Sequence, residues 1–180
     1  MTDHQGAVTV RHARAADLRH LAAIEDAGVP LFEEAYGDLT GDPLSSPAPD
    51  GRDRVGEPGF LLVTGEVGEP TGFAHVTYVD GSAHLAQLSV HPSRMRRGLG
   101  SALVREAMRE AWHAGYARMS LTTYRDLAFN GPFYAGLGFA EETRLEPFEA
   151  RQLEREHRLG LDRHGPRVVM STRLRRPAAP

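Results

Sequence analysis

Apolar residues that alternate or run together along the chain predict the strands of one sheet. The alternation at residues 8–12 indicates a first strand, and the apolar run at 60–63 indicates a buried second one. Two further runs, 72–79 and 84–90, flank the dipeptide Asp80-Gly81, which is typical of tight hairpin turns. These neighbouring runs should therefore pair as an antiparallel meander. Later strands are predicted at residues 119–123, 139–145 and 167–174.

Apolar residues spaced three and four apart predict the helices that cover this sheet. The strongest pattern spans residues 98–114, where Leu99 and Leu103, for example, lie one turn apart. This long helix connects the third strand of the meander to the next strand, so those two strands should be parallel. Other helices are predicted at residues 15–27, 30–36, 130–137 and 147–159.

Together these elements predict a single α/β domain with a mixed, mostly antiparallel sheet flanked by helices. A length of 180 residues suits one domain with a core of its own. Residues 37–59 are rich in Gly, Pro, Asp and Ser, which predicts a long mobile loop. The core should span residues 8–174, and residues 175–180 should form a frayed tail.

The composition excludes several kinds of chemistry. The chain has no cysteine, so disulfides, thiolate metal sites and a cysteine nucleophile are excluded. All 21 basic residues are arginine, which excludes a Schiff-base lysine and a P-loop lysine. A net charge of −3 disfavours a nucleic-acid partner, and no apolar run is long enough to span a membrane. The N-terminus lacks a secretory pattern and the histidines lack metal-ligand spacing, so we expect a cytoplasmic protein without a metal.

A basic, glycine-containing turn separates the strand at 84–90 from the long helix. Its sequence is Arg94-Met95-Arg96-Arg97-Gly98-Leu99-Gly100-Ser101. Backbone N–H groups and the dipole at a helix N-terminus can hold a phosphate, and two glycines let it approach the backbone closely. A dinucleotide-binding turn would need a third glycine where this chain has Leu103, and it would not follow an antiparallel meander. The turn therefore indicates a pyrophosphate site of another kind.

This turn, the order of the elements and the segment Asn130-Gly131-Pro132-Phe133-Tyr134-Ala135-Gly136-Leu137-Gly138-Phe139 together resemble the GNAT superfamily of acyl-CoA-dependent N-acetyltransferases. The resemblance covers nearly the whole chain, from Val8 to Leu174. The superfamily signature Gln/Arg-x-x-Gly-x-Gly/Ala aligns with residues 95–100, where Met95 replaces the usual Gln or Arg. The resemblance implies a sheet that splays between its fourth and fifth strands, with a bulge in the fourth.

The resemblance also implies where acetyl-CoA, the expected cosubstrate, would bind. The pantetheine arm would lie along Leu88, Ser89 and Val90, with a backbone N–H near Leu88 polarising the thioester carbonyl. Asn130 would form a hydrogen bond with this arm, and Phe133 would pack against the CoA. The pyrophosphate would bind to the turn residues Arg96, Arg97, Gly98, Leu99, Gly100 and Ser101.

Acyl transfer to an amine requires a base or water relay, donors for the oxyanion and an acid for the departing thiolate. By resemblance Tyr134 is this acid. Related enzymes often carry a glutamate on the strand before the turn, but this chain has Gln87 there, which cannot take up a proton. Glu33 and Glu34 are the next candidates for the base, because the first helices wall the acceptor site in the family.

Other residues could shape proton transfer or the acceptor site. His75 and His84 on neighbouring strands, or water, could relay protons in place of the glutamates. The turn Tyr124-Arg125-Asp126 could line the acceptor pocket. Acidic residues in the upstream region would favour a cationic amine, namely Glu33, Glu34, Asp38, Asp42, Asp50 and Asp53.

The sequence thus predicts an enzyme that moves an acetyl group from acetyl-CoA to a primary amine, with a small molecule as the first choice of acceptor. Two alternatives stay open: acetylation of a protein N-terminus or lysine, and a non-catalytic acyl-CoA-binding or sensor module. No nucleic-acid or membrane partner is expected, and a homodimer is left open.

Overall fold

Seven strands form one mixed sheet in the computed structural model, which describes residues 8–176. Their order across the sheet is β1-β2-β3-β4-β5-β7-β6, with a single parallel pair, β4 and β5, among the described residues. This confirms the predicted α/β fold. The strands are β1 (Val10–His12), β2 (Gly59–Glu66), β3 (Glu69–Val79), β4 (Ser82–Val90), β5 (Arg118–Tyr124), β6 (Ala140–Glu141) and β7 (Arg167–Arg173).

Helices cover both faces of this sheet. One face packs on the long helix α4, whose buried residues Leu103 and Ala107 belong to the same cluster as Leu62 of β2. The neighbouring residue Val63 packs instead with Leu21 of α1, because successive side chains of a strand point to opposite faces. The helices are α1 (Ala15–Asp26), α2 (Val29–Tyr36), α3 (Gly51–Arg54), α4 (Leu99–His113), α5 (Gly131–Ala135) and α6 (Pro147–Arg158).

A β-bulge interrupts β4 in its middle. His75 of β3 pairs with Gln87, whereas the next residue, Val76, pairs with Leu85. Ala86 is therefore the additional residue, and β4 bends at this point. The bulge expected in the fourth strand is confirmed.

The parallel pair of β4 and β5 is short. Ala83 pairs with Met119 and His84 with Ser120, and the register of the pair ends there. β5 continues in register with β7 along its whole length, so the second half of β4 diverges from it. A wedge-shaped gap opens between residues 85–90 and the end of β5, which confirms the predicted splay.

The segment 37–59, predicted as one long loop, contains a 3₁₀ turn at Pro43–Ser45 and the helix α3. Leu39 is buried, and the Arg54 guanidinium lies 5.1 Å from the ring centre of Phe73. Arg54 also pairs with Glu25 of α1. The cation–π contact and the ion pair of Arg54 therefore anchor this segment to the sheet and to α1. Its mobility stays a prediction.

Two predicted strands are shorter than expected. β1 begins at Val10, and β6 comprises only Ala140 and Glu141 in place of residues 139–145. Phe139 is buried in the main core, and β6 lies at the sheet edge, where it has β7 as its one neighbour. Most of the predicted tail, residues 177–180, lies outside the described residues. Within residues 8–176, no helix combines the length and apolar character needed to cross a membrane.

Candidate active site

A cavity of about 650 Å³ occupies the gap between β4 and β5. One side is formed by residues 85–90 of β4 and by the turn that enters α4. The opposite side is formed by the end of β5 and by α5, and the first two helices close one end. The splay of the sheet is thus what makes the cavity.

The turn into α4 presents unpaired backbone amides at this cavity. Ala102 is the first residue of the helix whose N–H has a backbone partner, donating to the Gly98 carbonyl at 2.9 Å. Within the described part of the chain, the amides of residues 96–101 donate to no backbone carbonyl outside the helix and to no side chain. Gly98 has φ +78° and Arg96 has φ +57°, conformations that favour glycine at the first position and strain the second. This backbone path turns several N–H groups outward at a helix N-terminus, as phosphate binding requires.

Phe133 covers the same turn from α5. A Cβ added to Gly100 would lie 3.4 Å from the Phe133 ring, so this ring packs directly on the backbone of the turn. Both residues line the cavity, as do Arg96, Gly98, Leu99 and Ser101. Arg97 is exposed and is not among the lining residues.

Tyr134, next to Phe133, also lines the cavity. Its ring contacts the rings of Phe133 and Phe139 at their edges, with centroids 5.1 and 5.9 Å apart. Burial raises the pKa of the Tyr134 hydroxyl, and the positive charge of Arg167 acts more weakly in the opposite direction. The phenol is therefore protonated at neutral pH, which is the state that a general acid needs.

Asn130 precedes α5 and lines the cavity. Its Oδ1 accepts a hydrogen bond of 2.9 Å from Thr123 of β5, which leaves the amide nitrogen as the donor. The next residue must be glycine, because a Cβ on Gly131 would lie 2.1 Å from the carbonyl oxygen of Arg125. This close approach places α5 against the end of β5 and brings Asn130 to the gap.

The second half of β4 supplies the opposite wall, where Leu88, Ser89 and Val90 all line the cavity as predicted. Gln87 lines it as well, and its Nε2 donates to Ser89 Oγ at 2.9 Å. A carboxamide cannot act as a base at neutral pH. Its hydrogen bond fixes the two polar side chains of this wall relative to each other.

The structure does not bring Glu33 and Glu34 together with Tyr134. Both glutamates are exposed, and neither is among the residues that line the cavity. The helix geometry explains this, because Phe32 on the same helix faces the cavity and the next two side chains turn away from it. Their assignment as the base gains no support from the structure and stays a prediction.

The two strand histidines are also outside the cavity lining. His84 is buried, with its Nδ1 3.0 Å from Ser120 Oγ and its ring edge against Phe148. Burial lowers the pKa of His84 to about 4. Burial likewise lowers the pKa of His75. Both rings are thus neutral at pH 7 and belong to the sheet's packing.

The acidic residues of the upstream segment hold local turns. Asp42 accepts from the backbone N–H of Leu44 at 2.9 Å and contacts His164 Nε2 at 2.8 Å. Asp38 accepts from Thr40, and Asp50 from the N–H of Arg52, while none of the six acidic residues singled out by sequence lines the cavity. These six residues therefore give no support to a cationic amine, and the acidic residues that do line the cavity are Glu25, Asp26 and Glu156.

A buried ion pair at the inner end of the cavity was not found from the sequence. Glu156 of α6 accepts from Arg167 Nε at 2.9 Å and from Thr122 Oγ1 at 2.7 Å. The Arg167 guanidinium lies 4.5 Å from the ring centre of Tyr124, and all of these residues line the cavity. The polar residues Gln152 and Glu156, which lie one turn apart on α6, are the sequence feature that could have indicated this site. The sequence does not show that this helix face packs against β5 and β7.

The turn after β5 is divided between the cavity and the surface. Tyr124 lines the cavity and donates from its hydroxyl to the Leu161 carbonyl at 2.6 Å. Arg125 and Asp126 are exposed, and Arg125 pairs with Glu141 at 2.8 Å. Tyr124 joins Phe32 and Phe129 in an aromatic wall, with the Phe32 and Phe129 rings 5.3 Å apart.

Several solved structures of N-acetyltransferases share this arrangement of elements. The N-acetylglutamate synthase of Neisseria gonorrhoeae, solved with coenzyme A and N-acetyl-glutamate, superposes with a TM-score of 0.68 and 19% identity over 95% of this chain; the match spans 36% of that chain. The PaiA N-acetyltransferase of Thermoplasma acidophilum, solved with coenzyme A, gives 0.65 and 15% identity over 93% of this chain and 99% of its own. The ribosomal-protein-S18-alanine N-acetyltransferase of Escherichia coli gives 0.61 and 20% identity over 95% and 96%.

At these identities the solved structures establish the fold. The family model of the acetyltransferase (GNAT) family matches residues 21–139, a range that contains the glycine turn, both sides of the splay and α5. The chain therefore belongs to the acetyltransferase (GNAT) family.

Proposed function

We propose that the protein transfers an acetyl group from acetyl-CoA to a primary amine of a small molecule, with Tyr134 as the general acid. One observation carries this proposal: the unpaired amides of residues 96 and 98–101 and the protonated Tyr134 belong to the same cavity. A phosphate-binding turn and an acid in one gap match a cosubstrate that carries both a diphosphate and a thioester.

Acetyl-CoA would span the gap from the turn to Tyr134. The diphosphate would accept hydrogen bonds from the amides of residues 96–101, with Phe133 against the nucleotide side. The pantetheine arm would run along residues 88–90, where Asn130 Nδ2 can donate to it from the opposite wall. Two of the structural neighbours were solved with coenzyme A, which supports this choice of cosubstrate.

The reaction would proceed by direct attack. The amine loses a proton to water in the open cavity, since the nearby Gln87 cannot accept one and Glu156 is already paired with Arg167. The amine nitrogen then bonds to the acetyl carbon, and the carbonyl oxygen takes the negative charge near the Leu88 N–H. When the C–S bond breaks, the Tyr134 hydroxyl protonates the departing thiolate. The nitrogen, positively charged after the attack, loses its second proton to water to give the neutral amide, and the phenolate recovers a proton from water.

The aromatic wall supports a small-molecule acceptor. Phe32, Phe129 and Tyr124 enclose the inner end of the cavity, and a polar pair lies beside them. Apolar walls with a few oriented polar groups are typical of small-molecule sites.

The test measures acetyl-CoA binding by calorimetry and CoA release with a panel of amines. Tyr134→Phe should bind acetyl-CoA normally and lose about 100-fold in kcat, the lower end of general acid catalysis, because a thiolate already leaves easily. Tyr116→Phe is the matched control, since Tyr116 stacks on Tyr78 away from the cavity. Binding of acetyl-CoA without turnover of any amine would support a sensor module instead of an enzyme. No binding of acetyl-CoA would overturn both of these assignments.

A further inference from the structure

Arg167 is the least satisfied charged group at the inner end of the cavity. Its side chain is 14% exposed, and its one described hydrogen bond runs from Nε to Glu156. Within residues 8–176, the terminal nitrogens Nη1 and Nη2 donate to no protein group. A guanidinium carries five N–H donors, so four of them are free to bind a ligand in the cavity.

Glu156, the partner of Arg167, already accepts hydrogen bonds at both of its carboxylate oxygens. One oxygen of Glu156 accepts from Thr122 at 2.7 Å and from Gln152 at 3.3 Å, and the other accepts from Arg167. Its negative charge is already compensated. An incoming cation would compete with Arg167 for this carboxylate, whereas an incoming anion would meet free donors. The pair therefore favours an anionic group on the acceptor.

The orientation of Arg167 suits a carboxylate in particular. Its guanidinium lies over the Tyr124 ring and its Nε is fixed by Glu156, so the terminal nitrogens form the remaining free edge. Two parallel N–H donors on one edge match the two oxygens of a carboxylate. Stacking and the ion pair hold the fork in place before the acceptor binds, which reduces the entropic cost of binding.

Arg167 belongs to the same cavity as the proposed acid Tyr134, so a group bound to it can position the amine. Its guanidinium lies at the aromatic wall, 4.5 Å from the ring centre of Tyr124. In an amino acid only one carbon separates the carboxylate from the amine. A carboxylate held at Arg167 would therefore place the amine toward the thioester end of the gap.

We propose that the acceptor is an amino acid with a free carboxylate, bound by the terminal nitrogens of Arg167. Glu156 is a positioning residue that orients the guanidinium. This inference rests on the proposed function and specifies its substrate class. A protein N-terminus is excluded by the same reasoning, because its first residue presents an amide where the carboxylate would be.

The experiment compares matched acceptors at saturating acetyl-CoA. Each amino acid of a panel is tested beside its own α-carboxamide and its decarboxylated amine, and CoA release gives kcat/KM for all three. For the preferred side chain, the free acid should exceed both analogues by about 10- to 100-fold, the value of a hydrogen bond to a charged group.

Variants test whether Arg167 and Glu156 cause the preference for the free acid over its carboxamide. The double variant Glu156→Gln/Arg167→Gln keeps the hydrogen-bonding shape without either charge, and its ratio of acid to carboxamide should fall to near one. The double variant Arg125→Gln/Glu141→Gln removes an exposed ion pair outside the cavity and should keep the wild-type ratio. Glu156→Gln alone should raise KM for the acid more than it lowers kcat, as expected for a positioning residue.

Three results would overturn the proposal. Carboxamides or plain amines acetylated as well as the acids would refute the carboxylate site while upholding acetyl transfer to amines. A preference for acids that survives in the Glu156/Arg167 double variant would place the carboxylate elsewhere. No transfer to any member of the panel, with acetyl-CoA still bound, would refute the proposed function as well.

Discussion

The two ends of the cavity differ in what lines them, which is backbone at one end and side chains at the other. The end proposed to bind the cofactor (the cofactor end) consists mainly of backbone, with six consecutive amides whose direction is set by the local conformation at Gly98. The end proposed to bind the amine (the acceptor end) consists of side chains from α2, β5, α6 and β7 that meet only in the folded protein. Binding at the cofactor end should therefore depend on backbone conformation and little on side-chain identity. Binding at the acceptor end should depend mainly on side-chain identity. This contrast leads to predictions that differ in size.

The largest effect is expected at the acceptor end, where Arg167→Met would leave Glu156 buried without its counter-charge. Breaking a buried pair from one side costs about 3 kcal/mol of unfolding free energy. Urea denaturation at pH 7 would measure the loss. Arg125→Met, which breaks the exposed pair with Glu141, should change the unfolding free energy little. Equal losses in the two variants would show that the acceptor end is not held by its buried charges.

The next effect concerns His84, where β4 and β5 pair for the last time before the splay. Its pKa is about 4 in the folded protein, against an ordinary value of 6.5 for an exposed histidine, so below pH 6.5 the unfolded chain binds a proton that the folded chain does not. Stability therefore falls as the pH falls from 6.5 toward 4 and is retained above 6.5. Between pH 7.5 and 5 this group alone should remove about 2 kcal/mol.

Urea denaturation at both pH values, for the wild type and His84→Gln, isolates this contribution. The variant should lose less stability on acidification than the wild type. Glu149 and Glu156 raise the pKa of His84 while Arg118 lowers it, so the comparison must hold these residues constant. Parallel losses in the two proteins would mean that His84 is not shielded from solvent where β4 and β5 begin to splay.

A third prediction tests the backbone character of the cofactor end. Gly98→Val and Gly115→Val place a branched side chain at φ +78° and φ +92°, and in both cases the added Cβ would meet no atom within 4 Å. Each should lose about 1 to 2 kcal/mol of stability through backbone strain alone. Calorimetry should show a rise of about tenfold in the Kd of acetyl-CoA for Gly98→Val only, corresponding to about 1.4 kcal/mol. An unchanged Kd would remove the turn from the cofactor site.

The smallest effect is expected for the double variant Glu33→Gln/Glu34→Gln. Both carboxylates are exposed and outside the cavity lining, so solvent screens them and the KM of the amine should change less than about twofold. Steady-state kinetics with the best acceptor would measure it. A large rise in KM would return these residues to the acceptor site and weaken the case for side chains from β5, α6 and β7.

The same contrast explains what the sequence could predict. The cofactor end lies within local segments, so the pattern of glycines at 98 and 100 and the Asn130–Phe139 segment predicted its residues, and the structure places all but Arg97 at the cavity. The fold followed from apolar periodicity in the same way. Both signals act over a few residues and survive without knowledge of the tertiary contacts.

The acceptor end could not be predicted by that route. Glu156 and Arg167 are eleven residues apart and belong to a helix and a strand whose faces are fixed by packing. The resemblance indicates that α2 walls the acceptor site but not which of its residues face it. A shift of one position along α2 decides whether a side chain points inward, as Phe32 does, or outward, as Glu33 and Glu34 do. The polar composition of residues 37–59 likewise does not reveal that Leu39 and Arg54 are buried in the folded protein.

The extra residue Ala86 has a consequence for how this fold tolerates divergence. Because the bulge offsets the two halves of β4 by one position, deleting Ala86 would reverse the facing of every side chain on one of them. Amino-acid exchanges along that stretch leave the offset untouched. Insertions and deletions there should thus be far more damaging than replacements, a pattern that a library of single-residue indels across residues 82–90 would reveal.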